Sequence, residues 1–374
     1  MIVKESAPHL RRKATVTRMM VDVLIALAPT LIFAFVVFPL QTGVTLAISL
    51  FIMIGCEIAY IGLRNMMPKD GLNHSFKERF EHAFKGKIDR NNIITPAISA
   101  VIFTLIMPPT ATIYAVIIGA FVGICLGKLV FGGLGSNIFN PALVGMVFAK
   151  LCFGGQYLKY SEVTTWFYKI PDAAAGATPL GLTNGGALSH ISEYSLTNLL
   201  FGQIPGTLGE VYTLTIIAGL IYLLIRRSID WRIPVSYIGT FSILMLIAGA
   251  SVHALDASVN PFIFTLYSLL SGGVLFGAVF MLTDPVTSPI NSPSRVMYGV
   301  IAAVFTVFIR LFAALPEGVA FSILIVNMLA PFLDHYEWSS SKFTVKKIVI
   351  TSLLVIIPAL LTFVIIRFGG VYHA

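Results

Sequence analysis

MVDVLIALAPTLIFAFVVFP, residues Met20 to Pro39, decides what kind of chain this is. Twenty consecutive, predominantly apolar residues wound as an α-helix match the ~30 Å hydrocarbon core of a bilayer, at about 1.5 Å per residue. The stretch reads as a transmembrane helix, and the remaining sequence repeats its pattern. Of 374 residues, 57% are hydrophobic and 11% charged, with a mean hydropathy of +0.88. A soluble domain carries roughly a quarter charged residues, so this chain belongs in lipid. Its net charge of +8 does not call for a nucleic-acid partner, because the basic residues cluster in loops. In a membrane protein they mark the cytoplasmic side.

Upstream of this span, Lys4, Arg11, Arg12, Lys13 and Arg18 form a basic segment opposed only by Glu5. Met1 to Arg18 has no short apolar core of its own, so no cleavable signal peptide is expected. Downstream, an uncharged loop leads to a second span, Val44 to Leu63. Arg64 to Asn92 carries seven basic and four acidic residues and is expected on the same side as the amino terminus. Ile93 to Met107, Ile113 to Phe131 and Phe139 to Phe153 read as the third to fifth spans. After a loop from Gly154 to Glu210, Val211 to Ile225 runs into Arg226, Arg227 and Arg232. Pro234 to Ala250, Phe262 to Leu282, Val296 to Leu315 and Gly318 to Leu333 follow, and Ile348 to Phe368 is the last. The count is ten or eleven, since the short third and fifth segments also suit re-entrant turns. Five crossings from a cytoplasmic amino terminus put every basic loop inside and the 154–210 loop outside.

A repeat runs through this layout. Thr104 to Pro109 resembles Phe280 to Pro285, and Lys128-Leu-Val-Phe131 resembles Arg310-Leu-Phe-Ala313. With five spans per unit the second copy enters from the opposite face, an inverted repeat of the kind found in transporters. The expected fold is an all-α integral membrane protein of about ten transmembrane helices in two inverted repeats. Its parts are a cytoplasmic segment at 1–19, a first membrane repeat at 20–153 and an extracytoplasmic loop at 154–210. A second membrane repeat at 211–333 and a cytoplasmic loop with a final helix at 334–374 complete it.

Within the long loop stands PDAAAGATPLGL, Pro171 to Leu182. Asp172, Gly176, Ala177 and Thr178 resemble the flavinylation motif Asp-x-x-(Ser/Thr)-Gly-Ala-Thr, whose last threonine takes FMN through a phosphoester bond. The residue types suit that chemistry: a hydroxyl to accept the phosphoryl group, and small neighbours to admit a modifying enzyme. Ala175 stands where the motif has a hydroxyl residue. The competing reading is a turn of small residues.

Ionisable residues at membrane depth are costly and therefore informative. Lys128 and Arg310 occupy equivalent repeat positions; they either snorkel from span ends or compensate a flavin phosphate or line an ion route. Glu57, in the second span, either bonds a partner inside the bundle or serves ion conduction. Asp284 sits in the turn TDPVTSP. Asn140-Pro141 and Asp284-Pro285 break apolar runs, and backbone groups freed there must face a cavity, a cofactor or a neighbouring helix. His253 and Asp256 read as solvated loop residues. Cys56, Cys125 and Cys152 lie in apolar runs with no Cys-x-x-Cys pair. Grouped thiolates hold iron–sulfur clusters, so no cluster or other metal is expected from this chain alone, and a cysteine shared across a subunit interface stays open.

The flavinylation motif, the run GSNIFNPALVG at Gly135 to Gly145, TDPVTSP at Thr283 to Pro289 and the span layout resemble the D subunit of the Rnf complex. That complex is an ion-translocating ferredoxin:NAD oxidoreductase of the cell inner membrane. Its nearest relative is the B subunit of the sodium-pumping NADH:quinone reductase. The resemblance implies a fold like urea transporters, FMN bound covalently to Thr178, and room for a noncovalent riboflavin. It implies as partners another membrane-anchored flavin subunit, two cluster-bearing membrane subunits, and soluble subunits that meet ferredoxin and NAD. No catalytic residue of a complete reaction is expected here, and no dinucleotide-binding Gly-x-Gly-x-x-Gly appears in a strand–helix setting. Two rivals remain: the quinone-reductase subunit, against which the short segment Met1 to Met19 argues, and a plain small-solute channel or transporter. Either sodium or protons suit the ion.

Overall fold

The computed structural model describes residues 16–66, 89–154, 160–161, 175–176, 195–255, 257, 259–313, 318–335 and 342–368. The described chain is helical. In order come α1 (Val16–Val37), α2 (Pro39–Met66), α3 (Asn91–Ile106), α4 (Ile113–Gly127) and α5 (Pro141–Cys152). A short helix, α6 (Leu196–Phe201), precedes α7 (Thr213–Arg226), α8 (Arg232–His253), α9 (Pro261–Leu270) and α10 (Val274–Phe276). The last three are α11 (Ser292–Phe312), α12 (Gly318–Leu333) and α13 (Val345–Phe368). Tyr160–Ser161 (β1) and Ala175–Gly176 (β2) form a two-residue antiparallel ladder that pairs Tyr160 with Gly176.

Among the described residues, six helices are long and apolar enough to cross a membrane: α1, α2, α4 with its 3-10 extension to Phe131, α8, α11 and α13. A seventh candidate is the α9–α10 pair, bent by 62°. The protein is a multi-pass membrane protein. The remaining apolar helices are short; α5, with 12 residues, spans about 18 Å at 1.5 Å per residue. Both α5 and α9 open on Asn-Pro. The Asn140 side chain accepts the Ala142 N–H at 3.0 Å and Asn260 accepts that of Phe262 at 2.9 Å, while proline at the first helical position needs no partner.

The packing repeats. In the first unit α2 packs on α3 and α4, and α4 packs on α5; in the second α8 packs on α9 and α11, and α11 packs on α12. The units join where α1 meets α7 and where α5 meets α12, and α13 lies outside against α8 and α11. Gly123 makes the α4–α5 approach possible: a Cβ there would stand 2.6 Å from the Pro141 carbonyl oxygen. Without a hydrophobic drive between helices in lipid, such close backbone packing is what holds them together.

Three sequence expectations need correction. The uncharged loop expected before the second span is the first turn of α2, because Pro39 initiates a helix directly after Phe38. The continuous span Phe262 to Leu282 is broken at Ser271-Gly272-Gly273, where Gly272 takes a φ of 71° that L side chains rarely adopt. The end of the expected outer loop folds inward: the Leu208 N–H donates to the Met107 carbonyl at 3.0 Å and that of Gly209 to Leu105 at 2.7 Å. These bonds satisfy carbonyls at the end of α3 and draw Glu210 into the protein. Glu210 accepts from the Thr207 hydroxyl at 3.1 Å and covers Gly273 at the helix break.

Candidate functional site

The site is built at the ends of interrupted helices. α4 stops at Gly127, and Lys128 leads into a 3-10 turn closed by Gly132 and Gly133, both at positive φ (110° and 94°). Gly133 donates to the Lys128 carbonyl at 3.2 Å, which fixes the lysine backbone. In the second unit α10 continues as a π-helical turn, Gly277–Met281, before the chain leaves the helix at Thr283 and Asp284. π-turns are rare and concentrate at functional sites.

Lys128 does not snorkel to a membrane face. It is 3% exposed, and its Nζ lies 2.9 Å from Glu57 Oε2 in α2 and donates to Thr95 Oγ1 in α3 at 3.0 Å. Three helices thus converge on one ammonium. Asp284 is close enough for its charge to act on Lys128, and its Oδ1 accepts the Val286 N–H at 3.1 Å. Lys128 and Asp284 face one cavity, with Thr95, Asn137, Asn140 and Thr283 as further polar walls. Met19, Ile98, Ile102, Val279 and Phe280 supply apolar ones. Its free volume, with the open mouth, is ≈ 750 Å³. Lys128 and Asp284 are the ionisable groups on the described wall, and Glu57, behind it in α2, neutralises Lys128. Such a site suits a cation or a neutral polar ring better than a phosphate.

Arg310 stands elsewhere. It ends α11 as Lys128 ends α4, is 3% exposed, donates to the Ser268 carbonyl at 2.6 Å and lies 5.3 Å from the Phe241 ring centre. His253, expected in solvent, is exposed at the end of α8, and its Nδ1 bonds the Val259 carbonyl at 2.8 Å. Of the flavinylation motif, Gly176 lies in the β ladder; Asp172, Ala177 and Thr178 are outside the described residues, as are Asp256, residues 1–15 and most of the loop after Arg64.

Sequence reading passed over Asp22. This carboxylate, 2% exposed in α1, accepts from Ser228 at 2.6 Å, from Arg226 Nε at 3.2 Å and from Tyr222 at 3.3 Å. It ties α1 to the end of α7, across the join between units. The signal was present: a lone acid inside an otherwise apolar span. Ser228 and Ile229 also line the cavity.

Beside them, outside the spans, Asp230 bonds Arg232 at 3.0 Å and also pairs with Arg295. Burial pushes its carboxyl up, but the Arg232 N–H, the Arg295 guanidinium and both positive charges outweigh this and hold it below the usual carboxylate range. A depressed folded pKa contributes stability that is present above the ordinary carboxylate pKa and lost as pH falls through the folded value. Asp230→Asn is therefore expected to lower stability by about 1 kcal/mol at neutral pH, the half-open arginines being screened by solvent. The difference from wild type should vanish in acid; thermal unfolding in detergent across pH checks this.

Similarity to known proteins points the same way as this geometry. The sequence profile described as the NQR2, RnfD, RnfE family matches residues 3–344. The D subunit of the Na(+)-translocating ferredoxin:NAD(+) oxidoreductase complex of Acetobacterium woodii is 30% identical, over 88% of this chain and 92% of that one. The D subunit of the ion-translocating oxidoreductase complex of Alcanivorax borkumensis is 35% identical, over 64% of this chain and 72% of its own. The B subunit of the Na(+)-translocating NADH-quinone reductase of Chromohalobacter salexigens is also 35% identical over 64% of this chain. The match spans only 57% of that relative's length.

Proposed function

Because the chain belongs to the NQR2, RnfD, RnfE family, we propose that it is the D-type membrane subunit of an ion-translocating ferredoxin:NAD oxidoreductase. In this reading it completes no reaction alone. It carries electrons through FMN esterified to Thr178 and couples their passage to movement of Na+ or H+. What carries the reading is the family match joined to a cavity where Lys128–Glu57 and Asp284 meet between two similarly packed units. The nearly full-length similarity to the D subunit of such a complex favours this over the quinone-reductase subunit and over a redox-free solute channel. Partners of the classes expected above, a ten-helix inverted-repeat fold like that of urea transporters, and an inner-membrane location belong to the same proposal.

Bound flavin would supply the electron chemistry, and the protein's part is to hold it, set its surroundings and keep competing reactions out. The Thr178 hydroxyl serves as the attachment point, with Asp172, Gly176 and Ala177 as the surface a transferase reads. A noncovalent riboflavin fits the cavity: apolar walls suit the ring faces, and Asn137, Asn140 and Thr283 offer groups for its polar edge. A phosphate-bearing flavin suits it less, since Glu57 already neutralises Lys128. Asp284 then attracts the cation, while the Lys128–Glu57 pair holds α2, α3 and α4 around the space it enters.

Two experiments test the proposal. Membrane vesicles holding the assembled complex should take up Na+ or H+ when reduced ferredoxin and NAD are supplied; vesicles that oxidise ferredoxin without ion uptake contradict it. The orientation has its own check. A cysteine placed between Arg64 and Asn92 should resist an impermeant thiol reagent added to intact cells, as a cytoplasmic loop would. Ready labelling there would reverse the orientation and put the Thr178 loop inside.

A further inference from the structure

Cys56 and Cys125 lie far apart in sequence, in α2 and α4, yet their thiols are within hydrogen-bonding reach of each other. Both are free and half-buried, and the two helices pack directly. An apolar groove opens between those helices, walled by Phe51, Ile52, Gly55 and Cys56 on one side and Ile117, Ile118 and Phe121 on the other. Phe51 and Phe121 are 83% and 53% exposed within membrane-spanning segments, so the groove faces away from the bundle core. Cys125 lies one helical turn beyond Phe121 on the same face. Cys56 adjoins Glu57, and Cys125 precedes Lys128 by three residues. The thiol pair and the ion pair therefore both join α2 to the end of α4.

We propose that Cys56 and Cys125 form a dithiol that a lipid-soluble disulfide closes, locking α2 to α4 beside Glu57–Lys128. One cysteine attacks a sulfur of the oxidant, and its proton leaves with the other half as a thiol. The second cysteine then attacks the protein-bound sulfur of that mixed disulfide and releases the remaining half. The protein loses two electrons and two protons, and both leave on the two small thiols. Outside oxidising compartments disulfides are transient and redox-sensing rather than structural, and reversibility suits a pair placed where helix movement would matter. The alternative is that two small, polarisable side chains merely fill the interface. The dithiol stands without the functional reading; the lock rests on it.

The test uses native membranes containing the whole complex, treated with dithiodipyridine. Peptide masses without reduction should show Cys56 joined to Cys125 with the loss of two hydrogens. Cys56→Ala and Cys125→Ala should each leave only a mixed disulfide on the remaining thiol. Ferredoxin-driven ion uptake should fall several-fold in wild type and return with dithiothreitol. Two separate mixed disulfides and no joined peptide would overturn the dithiol, and complete closure with unchanged uptake would overturn the lock. An untreated complex with no uptake sinks the functional reading instead, leaving the masses to judge the dithiol.

Discussion

Lys128→Met is expected to destabilise the protein by about 3–5 kcal/mol, because it leaves the Glu57 carboxylate buried opposite an apolar side chain. Glu57 is 2% exposed, so water cannot take over the lysine's part. The Thr95 hydroxyl also loses its donor at 3.0 Å. Replacing both charges, as Glu57→Gln with Lys128→Met, removes the orphaned charge and should restore most of the stability, since buried ion pairs often exchange with neutral groups at little net cost. Function separates the two roles of the pair. If it only holds three helices together, the double variant regains ion uptake with its stability. If it shapes the ion's route, as we propose, the double variant assembles, melts near wild type and still transports poorly. Thermal unfolding in detergent and uptake into vesicles read the two separately. Arg310→Gln offers the contrast: it should weaken the α11–α9 contact through Ser268 without altering ion affinity at the cavity.

Thr178→Ala is expected to abolish covalent flavin outright. A phosphoester needs the hydroxyl oxygen, and alanine offers none at that position; Thr178→Ser keeps the oxygen and should retain part of the modification. Ala175 already lacks the motif's hydroxyl, so Ala175→Ser should leave flavinylation intact. In-gel fluorescence of the denatured subunit reports each result, because only a covalent flavin survives denaturation. Fluorescence undiminished in Thr178→Ala would move the attachment to another hydroxyl.

The long helices were legible because hydropathy sums over twenty residues and needs no tertiary knowledge. Boundaries were less so. Pro39 looked like a terminator yet starts α2, since proline ends one helix and opens the next with equal ease. The break at Ser271-Gly272-Gly273 hid inside an apolar run, although two adjacent glycines were its signal. Glu210 was placed at the end of the outer loop because nothing local says that Leu208 and Gly209 beside it pair with the end of α3. For the cavity, the cost of charge in lipid singled out Lys128, Asp284 and Glu57 from sequence, but not that Glu57 and Lys128 are partners. That pairing depends on how α2 packs against α4, which no local pattern announces. Thr95 carried no signal, and Asn137 stood out only as part of the GSNIFNPALVG run, until α3 and the glycine turn bring both to the cavity of Lys128. The proposed flavin site is the reverse case: wholly a matter of local pattern, with Thr178 outside the described residues.

One measurement bears on the central claim most directly: the mass of the peptide spanning Asp172 to Leu182, from protein made alongside an active flavin transferase. An electron-carrying subunit predicts a peptide heavier by one FMN less one water, with the addition fragmenting to Thr178. An unmodified peptide under those conditions contradicts the account and puts the solute-transporter reading in its place.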